Sequence, residues 1–98
     1  MYKIFRTPAH HLGSSPEPDY ILNGGKFFPT VSHPRGWSDV PDYELGADGK
    51  IYRAPNHPLG AGKAPDYVIG KDSLFYRTDT HPDGNHPAPD YELRELSH

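Results

Sequence analysis

The sequence predicts an all-β protein: four tandem hairpin repeats of about 24 residues, closed into a pseudo-fourfold ring that is propeller-like or barrel-like. Three observations predict it. Pro-Asp-Tyr occurs four times, with its Asp at Asp19, Asp42, Asp66 and Asp90, spaced 23, 24 and 24 residues apart. His10, His33, His57 and His81 run in step at the same spacings, each opening a four-residue group that ends in Gly13, Gly36, Gly60 or Gly84. The chain also starts at the second strand of a unit and finishes just after a first strand, so its two ends together supply the fourth hairpin.

The units follow as 18–40, 41–64, 65–88 and a split unit made of 89–98 with 1–17, all in one domain over 1–98. The fullest copy runs from Pro41 to Ala64. Tyr43 and Leu45 alternate with Asp42 and Glu44, the period-2 signature of a half-buried strand. Gly46-Ala47-Asp48-Gly49 is a turn with glycine ready for positive φ, and Lys50 to Arg53 is the returning strand. Elsewhere the first strand offers Tyr20 and Leu22, Tyr67 and Ile69, and Tyr91 and Leu93. The second offers Ile4 and Phe5, Phe27 and Phe28, and Phe75 and Tyr76. The single-residue deletion behind the spacing of 23 falls in the turn Asn23-Gly24-Gly25, where it leaves the strand faces unchanged. Each unit ends in a loop of about a dozen residues, opened by a His-Pro-x-Gly turn whose proline fixes φ, with His11 in place of that proline in one unit. No segment carries helical periodicity with caps. Closure is expected because an open array would leave two exposed edge strands. A dimer exchanging half-hairpins satisfies the same pattern, with the closed monomer favoured.

Composition first points elsewhere. Leu, Ile, Val and Phe supply only 18 of 98 residues, while Pro and Gly supply 22. Such a balance suits a disordered chain, but a net charge of −3 and twelve aromatic residues argue against disorder. The repeat resolves the conflict, since most Pro and Gly fall at fixed turn positions. With no cysteine, disulfides and thiolate metal sites are excluded. Lys and Arg are scattered singly, so no nucleic-acid or membrane partner is expected. MYKIFRTPAHH lacks the apolar run of a signal peptide, and a cytoplasmic location is the expectation. Seven histidines would swing the charge from −3 to +4 on protonation, so a response to pH between about 5 and 7 is expected.

Residues present in every unit are explained by the fold, and function is expected where units differ. Asp19, Asp42, Asp66 and Asp90 read as structural, bonding local backbone or pairing with Arg6, Arg53 and Arg77, although Pro29 stands where the remaining unit would carry its Arg. An acidic ring that binds cations is the sharper reading. Tyr20, Tyr43, Tyr67 and Tyr91 read as core, each with its hydroxyl at a polar rim. The repeated His, with His33, His57 and His81 as the metal candidates, could gather Zn²⁺ or Ni²⁺ near the axis. A 24-residue interval is the repeat's own period, however, and a turn-stabilising imidazole with one ring nitrogen bonded to backbone is the favoured reading.

The departures from the repeat are the binding candidates. Arg35 and Trp37 share one loop and are residue types that anchor interfaces. Asp79, Asp83 and His86 crowd another loop around His81, and His10 and His11 are adjacent. No nucleophile–base–orienter set appears, so catalysis is not expected, and no cofactor is expected unless the His set takes a divalent metal. The expectation is a recognition module whose loops engage a protein or other macromolecule. The alternatives are a small-ligand or carbohydrate binder with equivalent sites between repeats, and a metal-binding protein.

Overall fold

The computed structural model describes residues 2–95 and contains eight strands: β1 (Tyr2–Arg6), β2 (Tyr20–Asn23), β3 (Lys26–Pro29), β4 (Tyr43–Leu45), β5 (Lys50–Arg53), β6 (Tyr67–Ile69), β7 (Leu74–Arg77) and β8 (Tyr91–Glu95). They form one closed antiparallel barrel in which each strand pairs with its neighbours in sequence. The described residues contain no helix. Closure is made by β1 and β8, in register from Tyr2↔Glu95 to Arg6↔Tyr91. This split hairpin carries a longer ladder than the continuous ones, such as β4 with β5 from Tyr43↔Arg53 to Leu45↔Ile51. Among the described residues every strand is paired on both sides, so the sheet has no edge strand.

The alternation read from the sequence places one side chain in two inside the barrel. Tyr20, Tyr43, Tyr67 and Tyr91 form a tier at the loop end, and Leu22, Leu45, Ile69 and Leu93 form one at the turn end. Between them lie Ile4, Phe27, Ile51 and Phe75, each opposite a Tyr on one side and a Leu or Ile on the other, as in Ile4↔Tyr20 and Ile4↔Leu93. This middle tier is no more than 3% exposed and alternates Ile, Phe, Ile, Phe around the axis. Phe27 and Phe75 meet across it edge to face, centroids 5.8 Å apart. The void between the tyrosine and middle tiers is about 10 Å³, too small to hold water with partners, so the barrel is plugged and not a channel.

The four long loops, at 7–19, 30–42, 54–66 and 78–90, all lie at the tyrosine end. Each opens with the expected turn: the Gly N–H donates to the His carbonyl at 2.7–2.9 Å. Gly13, Gly36, Gly60 and Gly84 all sit at φ between 77° and 83°, the left-handed region that side chains resist. At the opposite end Ser73 takes the place of Gly49 in its hairpin and is the one non-glycine residue at positive φ among those described, at 64°. No helix of the described residues is long and apolar enough to cross a membrane.

Candidate binding site

The loop end of the barrel is a cup of about 450 Å³. Its floor is the tyrosine tier, a closed pinwheel in which each ring meets the next edge to face at 5.7–6.1 Å. This packing follows from the aromatic quadrupole, whose positive edge seeks a neighbour's negative face. The walls are His10, His33, His57 and His81, each T-stacked on a floor tyrosine at 4.9–5.1 Å.

A single hydrogen-bond pattern holds every wall histidine. Nδ1 accepts the backbone N–H two residues on: Leu12, Arg35, Leu59 and Asp83, at 3.0–3.1 Å. That fixes the tautomer, so the proton lies on Nε2. Nε2 donates to a tyrosine hydroxyl: His33 to Tyr20 at 2.9 Å, His57 to Tyr43 at 3.0 Å, His81 to Tyr67 at 3.1 Å and His10 to Tyr91 at 3.2 Å. The hydroxyl is then free to donate onward, as Tyr20 does to Asp42 and Tyr67 to Asp90, both at 3.3 Å.

The four aspartates are 1–2% exposed and anchor the base of the loops. Three pair with the arginines expected: Arg6 with Asp19 at 3.1 Å, Arg53 with Asp66 at 3.3 Å and Arg77 with Asp90 at 2.8 Å. In the unit where Pro29 replaces the strand arginine, Arg35 reaches in from the loop and pairs with Asp42. The charge is thus supplied from a different place in the chain, which a strand-by-strand comparison of sequences does not reveal.

Burial governs the electrostatics. It lowers His10 and His33 to about 4, with the neighbouring His11 and Arg35 charges adding to the effect, and it lowers His57 and His81 below the ordinary histidine range. Burial pushes all four floor tyrosines above the ordinary phenol range. It also raises Asp19 and Asp66 in spite of their arginines. The pH response expected between about 5 and 7 is therefore displaced downward for these four histidines, to about 4 for His10 and His33.

Of the seven residues singled out for binding, the cup brings together His10, His11, Arg35 and Asp83. Trp37 does not line it; it stands 65% exposed on the outer part of its loop, with exposed Val31 and Val40 in the same loop. Asp79 accepts a hydrogen bond from Asn85 Nδ2 at 2.6 Å, and His86 Nδ1 faces the Ala88 backbone, so both are occupied within their loop. The imidazoles of His33, His57 and His81 point to tyrosine on one side and backbone on the other, which leaves no lone pair aimed at the axis for a metal. Among the described residues no three His, Asp or Glu side chains gather into a metal-ligand set.

Sequence reasoning missed Leu12 and Leu59, which line the cup and are 51% and 59% exposed. A signal for them existed. The third position of the four-residue group that each repeated His opens reads Leu12, Arg35, Leu59, Asp83, varying between a His and a Gly that repeat. Comparison of the chain with protein-family models, with curated proteins and with solved structures finds no match.

Proposed function

We propose that the protein is a binding module that takes one ligand on the barrel axis, in the cup at the loop end. The observation that carries this reading is the division of labour within each loop. The repeated histidine grips the amide of the residue two positions on, and that residue is the one that differs between units and lines the cup. A fixed backbone presenting variable side chains around one concavity is the arrangement expected of a recognition surface.

The geometry favours a single axial site over equal sites between repeats. Histidine bonds tyrosine in every unit and tyrosine bonds aspartate in two of them, which commits most of the groups a carbohydrate would use, and Trp37 lies outside the cup. Binding is favoured over catalysis because each wall histidine is committed to a tyrosine hydroxyl on one side and a backbone amide on the other.

Titration of the ¹⁵N-labelled chain with a mixed library of small organic fragments and short peptides tests the reading. Saturable shifts at the amides of Leu12, Arg35, Leu59 and Asp83, with one molecule bound per chain, are expected. Hits that cluster on the barrel wall, or four equal binding events per chain, would overturn it.

A further inference from the structure

The chemistry of the rim says what kind of ligand fits. Strand order places the loops in cyclic sequence, so the first faces the third across the axis and the second faces the fourth. One diameter therefore carries Leu12 and Leu59. The other carries Arg35 and Asp83, one positive and one negative. Arg35 holds Asp42 through Nη2 while its side chain remains 48% exposed, and Asp83 is exposed and makes no ion pair among the described residues.

The floor beneath gives little to a polar ligand. In the Tyr20 and Tyr67 units the hydroxyl accepts from imidazole and donates to carboxylate, and in all four units both imidazole nitrogens are engaged. A sugar or a bare ion placed there would find only the Tyr43 and Tyr91 hydroxyl protons uncommitted, so it would recover few of the bonds it gives up to water. Aromatic faces and leucines reward apolar surface instead. The rim is stiff, because Pro34, Pro58 and Pro82 follow three of the four wall histidines, so little ordering cost falls on the protein. At about 450 Å³ the cup admits one or two side chains and not a folded domain.

Resting on the cup as the binding site, we infer that its occupant is a protruding peptide segment that sets an apolar or aromatic side chain on the tyrosine floor, with an acidic residue toward Arg35 and a basic residue toward Asp83. The charges sit on opposite sides, so the segment is read with a direction as well as a composition. Charge arrangement selects the partner and apolar burial holds it.

Selection of a displayed library of random nine-residue peptides on the full chain tests this, run in parallel on the wild type and on Asp83→Lys. Asp83 is exposed and unpaired, so its replacement leaves the barrel intact; Arg35→Gln, which keeps a donor for Asp42, serves as the second variant. Wild-type selections are expected to converge on an apolar residue flanked by one acid and one base. Those from Asp83→Lys should exchange the base for an acid, and wild-type peptides should bind that variant about tenfold more weakly. Arg35→Gln should relax the preference for the acid. Peptides that lack flanking charges, affinities indifferent to both variants, or failure to enrich any sequence would each overturn the inference. So would saturation of the cup by free lysine or glutamate with peptide-like affinity. Shifts of selected peptides confined to the rim amides but insensitive to charge would refute the peptide chemistry alone, whereas shifts elsewhere on the barrel would refute the cup itself.

Discussion

Acid should unfold this barrel through its wall histidines. His10 is 8% exposed and titrates at about 4 in the folded chain, against 6.5 in the unfolded one. His33 shows the same lowering, and His57 and His81 move in the same direction. A depressed folded pKa means that the unfolded chain takes up protons first as pH falls. The contribution is therefore complete above 6.5 and is lost on the way down to about 4. Between pH 7.5 and 4.5, His10 alone should cost roughly 2–3 kcal/mol. With His33 discounted for its partial exposure, the pair should cost about 4 kcal/mol, a large fraction of the 5–15 kcal/mol typical of a domain this size. Asp19 and Asp66 act with the opposite sign, because their raised pKa values favour the folded state as they protonate at the acid end. The loss between pH 6.5 and 5 therefore belongs to the histidines. Urea unfolding at pH 7.5 and 4.5, followed by tyrosine circular dichroism, measures the loss, and proton NMR titration of the imidazole Cε1–H groups assigns it. Equal stability at the two pH values, or wall histidines titrating near 6.5, would refute the reasoning.

Three further outcomes follow from particular residues. Arg35→Ser should leave buried Asp42 without its cation and cost about 3 kcal/mol, and adding Pro29→Arg should recover most of it by returning the charge to the strand; urea midpoints of the single and double variants decide this. Ser73→Gly should stabilise the chain by about 0.5–1 kcal/mol by removing the penalty of a side chain at φ 64°, and an unchanged or lower melting temperature would count against it. A circular permutant joining Glu95 to Tyr2 by an Asn-Gly turn and opened between Ala47 and Asp48 should fold to the same barrel, because β1 and β8 already pair as a hairpin does; its amide spectrum should match the parent outside the two junctions.

The fold was legible because it is written four times over. Tyr, Leu and the middle-tier apolar residue return at fixed offsets from Pro-Asp-Tyr, so strand faces, turns and ring closure could be read from period and phase alone. The Arg6, Arg53 and Arg77 pairs were legible for the same reason. Arg35 was not, because its role depends on the loop folding back toward the barrel mouth, a long-range fact that no local pattern encodes. His33 meeting Tyr20, and His10 meeting Tyr91 across 81 residues, likewise depend on how neighbouring units pack. The weight placed on Trp37 came from residue type without direction: the loop turns that ring outward, while the less conspicuous Leu12 and Leu59 face the cup.

The alternation of Ile4, Phe27, Ile51 and Phe75 has a consequence for how little chain this architecture needs. Two like residues stand opposite each other in this tier, Ile4 with Ile51 and Phe27 with Phe75, so half of the molecule already contains every kind of neighbour that the tier requires. Two copies of a two-hairpin chain, related by a true dyad, would rebuild the same middle tier, with Ile69 matched to Leu22 as the one change in the interior. What such a pair would lose is the distinction between Arg35 and Asp83, since a dyad makes opposite positions identical. Carrying all four units in one chain lets the mouth of the barrel be lopsided while the tier at its centre stays symmetric.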